Sequence, residues 1–290
     1  MAHMTGARRR GRPVLLAAIV SCGIAVAGES PLGTLPAGAI STSDTSGVSA
    51  EICRDHLFDA TSMHLKLPTG YRIRPVQEIA SSDAAVAELV RLNPALKSHA
   101  FGSLCLMSVA TFIVDGTPVH TAGAMPAAFW WVAADGPPHA DMRGNVQWVQ
   151  IGSWYSTSTG HPTEIRRTDP MARFTRIEVD RVSPDAWHLR LVLPTETVEA
   201  DVRATSPSTP RKASGPGYMS VPMSGESAEY FSVYAYAGHR VRKATGVWRT
   251  TGSGVFSAAF AIPKEASVFE TLFQEGWTAR SGLYRFSPRQ

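Results

Sequence analysis

The segment Ala100–Ala134 constrains the fold more than any other part of the sequence. Its first half is a long apolar run compatible with a β-strand, and its second half contains the adjacent residues Trp130 and Trp131. Between the halves lies Asp115-Gly116-Thr117-Pro118, and Asp-Gly is typical of a hairpin turn. Neighbouring strand residues point to opposite faces. One tryptophan therefore faces outward, and we predict a hairpin with a helix or lid packed against its outer face.

Apolar and polar residues alternate over much of the remaining sequence, which is the pattern of strands packed on one face. In the clearest case, Trp187, Leu189, Leu191 and Leu193 alternate with polar residues. Strands do not alternate with helices, so a parallel α/β sheet is not predicted. The sequence predicts a mainly β (α+β) fold, with a single antiparallel β-barrel or strongly bent sheet of about ten strands and two peripheral helices.

Two segments carry a helical rather than a strand pattern. The first ends before Asn93-Pro94, because proline disfavours helical backbone in the preceding residue. The second is predicted over Lys264–Glu275, where Phe269 and Phe273 are spaced i,i+4 on one face. The segment before it, Gly254–Ile262, is predicted as a strand.

Residues 1–27 have the composition of an export signal. The basic stretch Arg8–Arg12 precedes Val14–Val26, an apolar run too short to span a bilayer as a helix. Ala25-Val26-Ala27 fits a small-residue cleavage site, whereas the residues ending at Cys22 resemble a bacterial lipobox, in which Cys22 would be lipidated. A retained segment is the third alternative. The leader predicts an exported protein, secreted or in the cell envelope, whose membrane contact is limited to the leader or a lipid anchor.

Residues 28–50 are rich in Gly, Ser, Thr, Pro and Ala and have no apolar period, which predicts a flexible tether. The barrel-like domain is predicted over residues 51–290. The formal net charge is +4, and the leader supplies that excess through Arg8, Arg9, Arg10 and Arg12. The remainder is close to neutral, so nucleic acid is not a predicted partner. The sequence leaves the oligomeric state open.

Cys53 and Cys105 form an even pair once Cys22 is removed or lipidated. In an oxidising compartment they would form a disulfide closing a loop of about 50 residues. The alternative is two separate buried thiols.

No complete catalytic or metal-binding motif is present. The histidines form no HExxH pattern, and His139 with Asp141 is the best spaced ligand pair, so no metal is predicted. There is no G-x-S-x-G nucleophile motif, no P-loop and no dinucleotide-binding glycine pattern. No cofactor and no covalent nucleophile are therefore predicted.

Aromatic residues provide the remaining signal for a site. Tyrosine and tryptophan combine an apolar body with a hydrogen-bonding tip, and a barrel lined by them would hold a hydrophobic, partly oxygenated small molecule. The alternative is a filled aromatic core. The predicted ligand-binding residues are Trp130, Trp148, Trp154, Tyr155, Tyr230, Tyr234 and Tyr236.

Three segments together resemble the opening of acetoacetate-decarboxylase-like β-barrels: LPTGY from Leu67, AVAELVRLNP from Ala85, and FGSLCLMSVATFIVDG from Phe101. The resemblance implies a β-barrel. The signature lysine segment of that family has no match here, so its Schiff-base mechanism is not implied. In overall architecture the chain also resembles barrel cyclases of actinobacterial polyketide pathways, which implies folding of a bound polyene without covalent chemistry.

The leading hypothesis is an exported β-barrel enclosing a hydrophobic small molecule and acting as a specialised-metabolism cyclase. Catalysis would come from holding a reactive conformer and from a few hydrogen bonds. The alternative is a non-enzymatic lipoprotein that binds a lipid or metabolite. A third hypothesis is a cell-envelope interaction domain with a filled core.

Overall fold

The structure is a computed structural model and describes residues 34–63, 66–67, 69–81, 84–120, 123–136, 146–210, 215–223, 229–261 and 271–286. The predicted leader, its cleavage site and Cys22 lie outside these ranges, as does the His139/Asp141 pair. Within the described ranges, none of the helices combines the length and apolar character needed to cross a bilayer.

The described chain is mostly β. The strands are β1 (Ser41–Phe58), β2 (Arg72–Ile73), β3 (Ala100–Val114), β4 (Thr117–His120), β5 (Met125–Asp135), β6 (Val146–Ser156), β7 (Arg173–Thr175), β8 (Ile177–Ser183), β9 (Ala186–Val192), β10 (Glu196–Ala204), β11 (Thr209–Pro210), β12 (Gly215–Pro222), β13 (Tyr230–Ala237), β14 (Arg240–Gly252), β15 (Thr271–Glu275) and β16 (Thr278–Arg285). The α-helices are α1 (Val76–Ala80), α2 (Ala84–Leu92), α3 (Pro162–Thr168) and α4 (Val255–Phe260), and short 3₁₀ turns span Ala60–Met63 and Pro94–Ser98.

Seven strands close into a barrel in the order β3-β5-β6-β12-β13-β16-β1, with β1 pairing back to β3. This confirms the predicted barrel. The β6–β12 pairing is parallel, whereas the other pairings of the barrel are antiparallel, so the prediction of an antiparallel barrel needs one correction. The reason is that the chain leaves the barrel after β6, builds other strands, and re-enters in the same direction.

A second, open sheet branches from β1. The first part of β1 pairs with β16 inside the barrel, and the residues Glu51–Arg54 pair with β15. From β15 the sheet continues through β14, β10, β9 and β8. The strand predicted from Trp187 and its neighbours is β9, whose alternating residues are buried as expected.

The main apolar core lies between the outer face of the barrel wall and this outer sheet. Leu104 and Trp130 of the barrel wall belong to one buried cluster with Leu189 and Leu191 of the outer sheet. Phe256 of α4 is fully buried in the same cluster and contacts Trp130 at a ring-centroid distance of 4.8 Å. The predicted second layer over the hairpin is therefore present, as a sheet together with α4.

Three local predictions are corrected by the structure. The tether prediction is wrong from Ser41 onward, because residues 41–50 pair with β16 and β3 as the start of β1. The predicted helix Lys264–Glu275 is wrong over its described end, which is strand β15. The predicted strand Gly254–Ile262 is instead largely helix α4. In each case pairing with distant strands outweighs the local pattern.

Two predictions around the opening hairpin are confirmed. Asp115 and Gly116 both adopt positive φ, as a tight Asp-Gly turn requires. Cys53 of β1 and Cys105 of β3 lie directly opposite one another and form a disulfide across a sequence separation of 52.

Candidate functional site

The inner wall of the barrel is aromatic along β5 and β13. Phe129 and Trp131 share one face of β5, and Tyr234 and Tyr236 share one face of β13. The rings of Trp131 and Tyr234 meet edge-on at 6.2 Å, although β5 and β13 are not neighbouring strands. Such a contact requires both side chains to point into the barrel. We call Phe129, Trp131, Tyr234 and Tyr236 the aromatic wall.

The side chains of the aromatic wall remain partly accessible to solvent. All four are of intermediate exposure, whereas Trp130 and Val132, which point outward from β5, are buried. In a filled interior, large inward-facing rings would be inaccessible. Their partial exposure indicates open space beside the aromatic wall and argues against the alternative of a completely filled core.

Apolar side chains close the barrel above and below the aromatic wall. At one end, Leu57, Phe101 and Trp148 pack in a cluster with residues of α1 and α2. At the other end, Phe112 and Ile165 belong to a second cluster, with Ile165 supplied by α3. The aromatic wall lies between these two clusters, and its rings pack against them: Trp131 against the first, and Phe129 and Tyr236 against the second.

Helix α3 delivers a carboxylic acid to the same interior. Asp169 directly follows the helix, and its backbone N–H donates to the carbonyl of Ile165 at 2.9 Å. Its side chain reaches the inward face of β6, where Asp169 Oδ2 accepts hydrogen bonds from Ser153, from Tyr155 at 3.1 Å and from Gln150 at 3.4 Å. Asp169 is only 7 % exposed.

The second oxygen of this carboxyl group is unsatisfied. Within the described ranges, Asp169 Oδ1 is buried and no donor meets hydrogen-bond geometry with it, although the backbone N–H of Met171 lies close to the carboxyl group. Asp169 takes part in no ion pair within these ranges. Burial raises the pKa of Asp169, and the hydrogen bonds from Ser153 and Tyr155, the backbone of Met171 and Gln150 offset this rise only in part. A buried acid with a raised pKa and a free oxygen atom is suited to proton transfer with a molecule in the barrel.

The tyrosines around Asp169 are held in the protonated form. Burial raises the pKa of Tyr234 to about 12, and the nearby Asp169 charge contributes to the rise. Burial raises the pKa of Tyr155 well above its usual value, again with a contribution from Asp169. Burial also raises the pKa of Tyr236, and electrostatic interaction with Glu51 and with the neighbouring phenol of Tyr234 acts in the same direction. These phenols therefore act as hydrogen-bond donors, not as bases, at neutral pH.

The predicted ligand-binding residues divide between this interior and other parts of the fold. Tyr155, Tyr234 and Tyr236 lie around Asp169 or in the aromatic wall. Trp130 and Trp154 pack in the core between barrel and outer sheet, and Trp148 packs against the helices at one end of the barrel. Tyr230 lies at the end of β13, with the Arg285 guanidinium 6.0 Å from its ring.

Sequence reasoning missed Asp169, Trp131 and Phe129. The segment that contains Asp169, Ser156–Pro170, is polar and rich in turn-forming residues, a pattern typical of a surface loop. The sequence does contain one indication of helix α3. Pro162 suits the first position of a helix, and the apolar residue Ile165 follows three positions later. For Trp130 and Trp131, alternation alone could not decide which residue faces inward.

A second buried polar pair lies on the outer face of the barrel. Trp130 Nε1 donates to His56 Nε2 at 3.0 Å, and His56 Nδ1 lies 3.1 Å from the carbonyl of Arg54. Gly102 on the intervening strand leaves room for this bond, because a Cβ there would lie 2.9 Å from His56 Nε2. Burial lowers the pKa of His56 to about 4. The imidazole is therefore neutral and donates from Nδ1 to Arg54.

One group of metal-ligand atoms is found close together within the described part of the chain. It consists of Glu51 and the sulfurs of Cys53 and Cys105, within 4.8 Å of one another. Because the two sulfurs are joined in a disulfide, neither is available as a thiolate ligand.

Comparisons with known proteins give only distant similarities. No family model matches the sequence, and no curated protein matches it. Among solved structures, the enduracididine biosynthesis enzyme MppR complexed with pyruvate is 11 % identical, with a TM-score of 0.40, and the match covers 89 % of this chain and 91 % of that chain. MppR complexed with the condensation product of pyruvate and imidazole 4-carboxaldehyde is 10 % identical, with a TM-score of 0.41, covering 89 % and 90 %. At these values the similarity assigns no activity to this chain.

Proposed function

We propose that the barrel encloses a hydrophobic, partly oxygenated small molecule and that Asp169 exchanges a proton with it. The observation that carries this proposal is the unsatisfied Oδ1 of Asp169, buried beside partly exposed inward rings. The aromatic wall supplies apolar contact area, and its Tyr234 offers a phenol group to an oxygen atom of the ligand, since the hydroxyl of Tyr155 already donates to Asp169.

The reaction class that we propose is an isomerising cyclisation or a related proton-transfer rearrangement. The wall would hold one reactive conformer of the ligand, which removes part of the entropic barrier. Asp169 would move a proton at the reacting carbon or oxygen atom, while the neutral phenols stabilise negative charge that develops on a carbonyl oxygen. No covalent intermediate is required.

We also propose that the protein is exported. The leader sequence supports this proposal, and so does the Cys53–Cys105 disulfide, since such bonds persist in oxidising compartments. Mass spectrometry of the processed N-terminus would separate cleavage after Ala27 from lipidation of Cys22.

The proton-transfer proposal can be tested with 2-tetralone, a bicyclic ketone with exchangeable α-hydrogens. Binding is measured by quenching of tryptophan fluorescence, and deuterium uptake from D₂O is measured by mass spectrometry. We expect the protein to bind the ketone and to accelerate its exchange. Asp169→Asn should retain binding and lose the acceleration, whereas Asp180→Asn, an exposed aspartate of β8, should retain both.

Other outcomes would overturn parts of the proposal. Binding without accelerated exchange would favour the non-enzymatic binding protein. Exchange that is as fast in Asp169→Asn as in the wild type would exclude Asp169 as the proton-transfer residue. If neither 2-tetralone nor any of the smaller aromatic probes benzylamine, benzyl alcohol and benzoate binds, the proposal of a ligand site in the barrel fails.

A further inference from the structure

Asp169 places a buried acidic group in the interior of the barrel. Asp169 forms no ion pair within the described ranges, and its Oδ1 has no hydrogen-bond donor. Around it lie Tyr155, bonded to the same carboxyl group, and Tyr234, whose ring contacts Trp131. The neighbouring hydrogen-bond donors are all neutral groups. An anionic ligand would therefore meet repulsion from an ionised Asp169. Among the described residues, a basic side chain in ring contact with the aromatic wall is His239, whose ring lies 5.1 Å from that of Tyr236.

A second acidic side chain, that of Glu51, contributes to the negative electrostatic potential near the aromatic wall. Glu51 of β1 accepts a hydrogen bond from Gln274 at 3.3 Å, and its charge acts on Tyr236. Tyr236 also contacts the ring of Trp277 at 5.4 Å, edge-on. Glu51 and Asp169 therefore act on neighbouring tyrosines, Tyr236 and Tyr234, whose rings stack at 5.9 Å.

Aromatic faces beside a carboxylate attract a cation. The negative face of an aromatic ring favours a positive charge by about 0.5–2 kcal/mol, with the larger value for desolvated sites. An N–H donor directed at Asp169 Oδ1 would also satisfy the buried oxygen atom that the protein leaves without a partner.

We propose that the ligand of the barrel carries a basic nitrogen atom, which is held as a cation between Asp169 and the aromatic wall. This inference rests on the proposed function, since it names the chemical class of the same ligand. A neutral amine takes the proton of the Asp169 carboxyl group, with an N–H bond formed as the O–H bond breaks. An amine that arrives as ammonium displaces that proton to water, and both routes end in the same ammonium–carboxylate pair.

Three probes of similar size distinguish the effect of ligand charge on affinity from the effect of ligand shape. They are benzylamine, benzyl alcohol and benzoate. Their affinities can be measured by isothermal titration calorimetry at neutral pH and checked by tryptophan fluorescence. We expect benzylamine to bind about tenfold more tightly than benzyl alcohol, because its ammonium group gains an ion pair with Asp169 that the alcohol cannot form. We expect no detectable binding of benzoate.

Substitution of the acid tests the assignment to Asp169. Asp169→Asn should abolish the preference for benzylamine over benzyl alcohol, while the affinity for the alcohol stays unchanged. Asp180→Asn removes the same charge from the exposed face of β8 and should leave the preference intact. Thermal unfolding of each variant, compared with the wild type, shows that the fold is retained.

The outcomes distinguish this inference from the function on which it rests. Equal binding of benzylamine and benzyl alcohol would overturn the inference and leave a small-molecule site in place. A preference that persists in Asp169→Asn would also overturn it. If none of the three probes binds, the inference and the enclosed-ligand proposal both fail.

Discussion

His56 is kept neutral by its surroundings, and this makes folding sensitive to acid. Its pKa falls from 6.5 to about 4 on burial. A lowered pKa in the folded state means that full stability is present above pH 6.5 and is lost as pH falls through about 4, because the unfolded chain binds the proton more readily. We expect His56 to account for roughly 3 kcal/mol of destabilisation over that interval.

Urea unfolding between pH 7 and pH 4 measures this effect. His56→Gln keeps a polar side chain and cannot titrate, so its free energy of unfolding should fall less steeply with acid than that of the wild type. His188→Gln changes a histidine on the exposed face of β9 and serves as the control. Parallel pH curves for wild type and His56→Gln would refute the prediction.

Asp169 should give the opposite dependence on pH. Its pKa is raised in the folded state, so its contribution is most favourable below the pKa of the unfolded chain and is lost as pH rises through the folded pKa. Asp169→Asn should therefore gain stability relative to the wild type as pH rises from 4 to 8. Each unit by which the pKa is raised adds about 1.4 kcal/mol to that difference.

Thermal unfolding at several pH values provides the measurement, with Asp180→Asn as the matched control for an exposed acid. If the difference in the free energy of unfolding between Asp169→Asn and the wild type is the same at pH 4 and pH 8, the pKa of Asp169 is not raised in the folded protein.

At the scale of single residues, the sequence could show the kinds of side chain but not their orientation. The pair Trp130 and Trp131 was predicted to serve two faces, and it does. Which one faces the interior depends on the register of β5 against β3, which a local pattern does not contain. Asp169 was missed because a buried acid in a polar segment has no local signature. Its burial follows from the packing of α3 against one end of the barrel.

At the scale of elements, helix α4 depends on a carboxylate from another strand. Glu196 of β10 accepts hydrogen bonds from the backbone N–H groups of Phe256 and Ser257 and from the Ser257 hydroxyl, at 3.2, 2.8 and 2.9 Å. The N-terminal position of the helix is Gly254, which has no side chain to fulfil this role. The N-terminus of α4 is therefore capped by Glu196, a residue of the separate strand β10.

Glu196→Ala should lower the free energy of unfolding by about 2 kcal/mol, since it leaves buried donors at the helix start without an acceptor. Glu199→Ala, which removes a half-exposed partner of Arg190 from the same strand, should cost less than about 1 kcal/mol. Chemical denaturation of both variants measures the difference. Equal losses would show that the cap adds nothing beyond a surface ion pair.

The elements that sequence reasoning assigned wrongly share one physical cause. Phe273 was placed on a helical stripe by its spacing from Phe269, yet it lies fully buried in β15 and contacts Trp187 of β9 at 4.5 Å. The start of β1, rich in serine and threonine, looked like a tether but pairs on both sides. Short apolar or polar runs are ambiguous, and partners distant in sequence decide their conformation.

At the scale of the whole molecule, β1 joins the two layers. Its first part closes the barrel against β16, and Glu51–Arg54 carry the outer sheet through β15. The barrel itself was predictable from repeated strand patterns and turns. The branch was not, because no local feature marks a strand that pairs with different neighbours along its length. A shared strand couples the layers, so we expect barrel and outer sheet to unfold together.

The disulfide provides the test of that coupling, because Cys53 lies in β1 where it pairs with both β3 and β15. Removing a cross-link that spans 52 residues should cost about 4 kcal/mol on the chain-entropy model. In the double variant Cys53→Ala/Cys105→Ala, we expect one cooperative transition at a lower temperature, measured by calorimetry. The reduced wild-type protein should behave in the same way. Two separate transitions would mean that barrel and outer sheet are independent cooperative units, and an unchanged midpoint would mean that the cross-link does not restrict the unfolded chain.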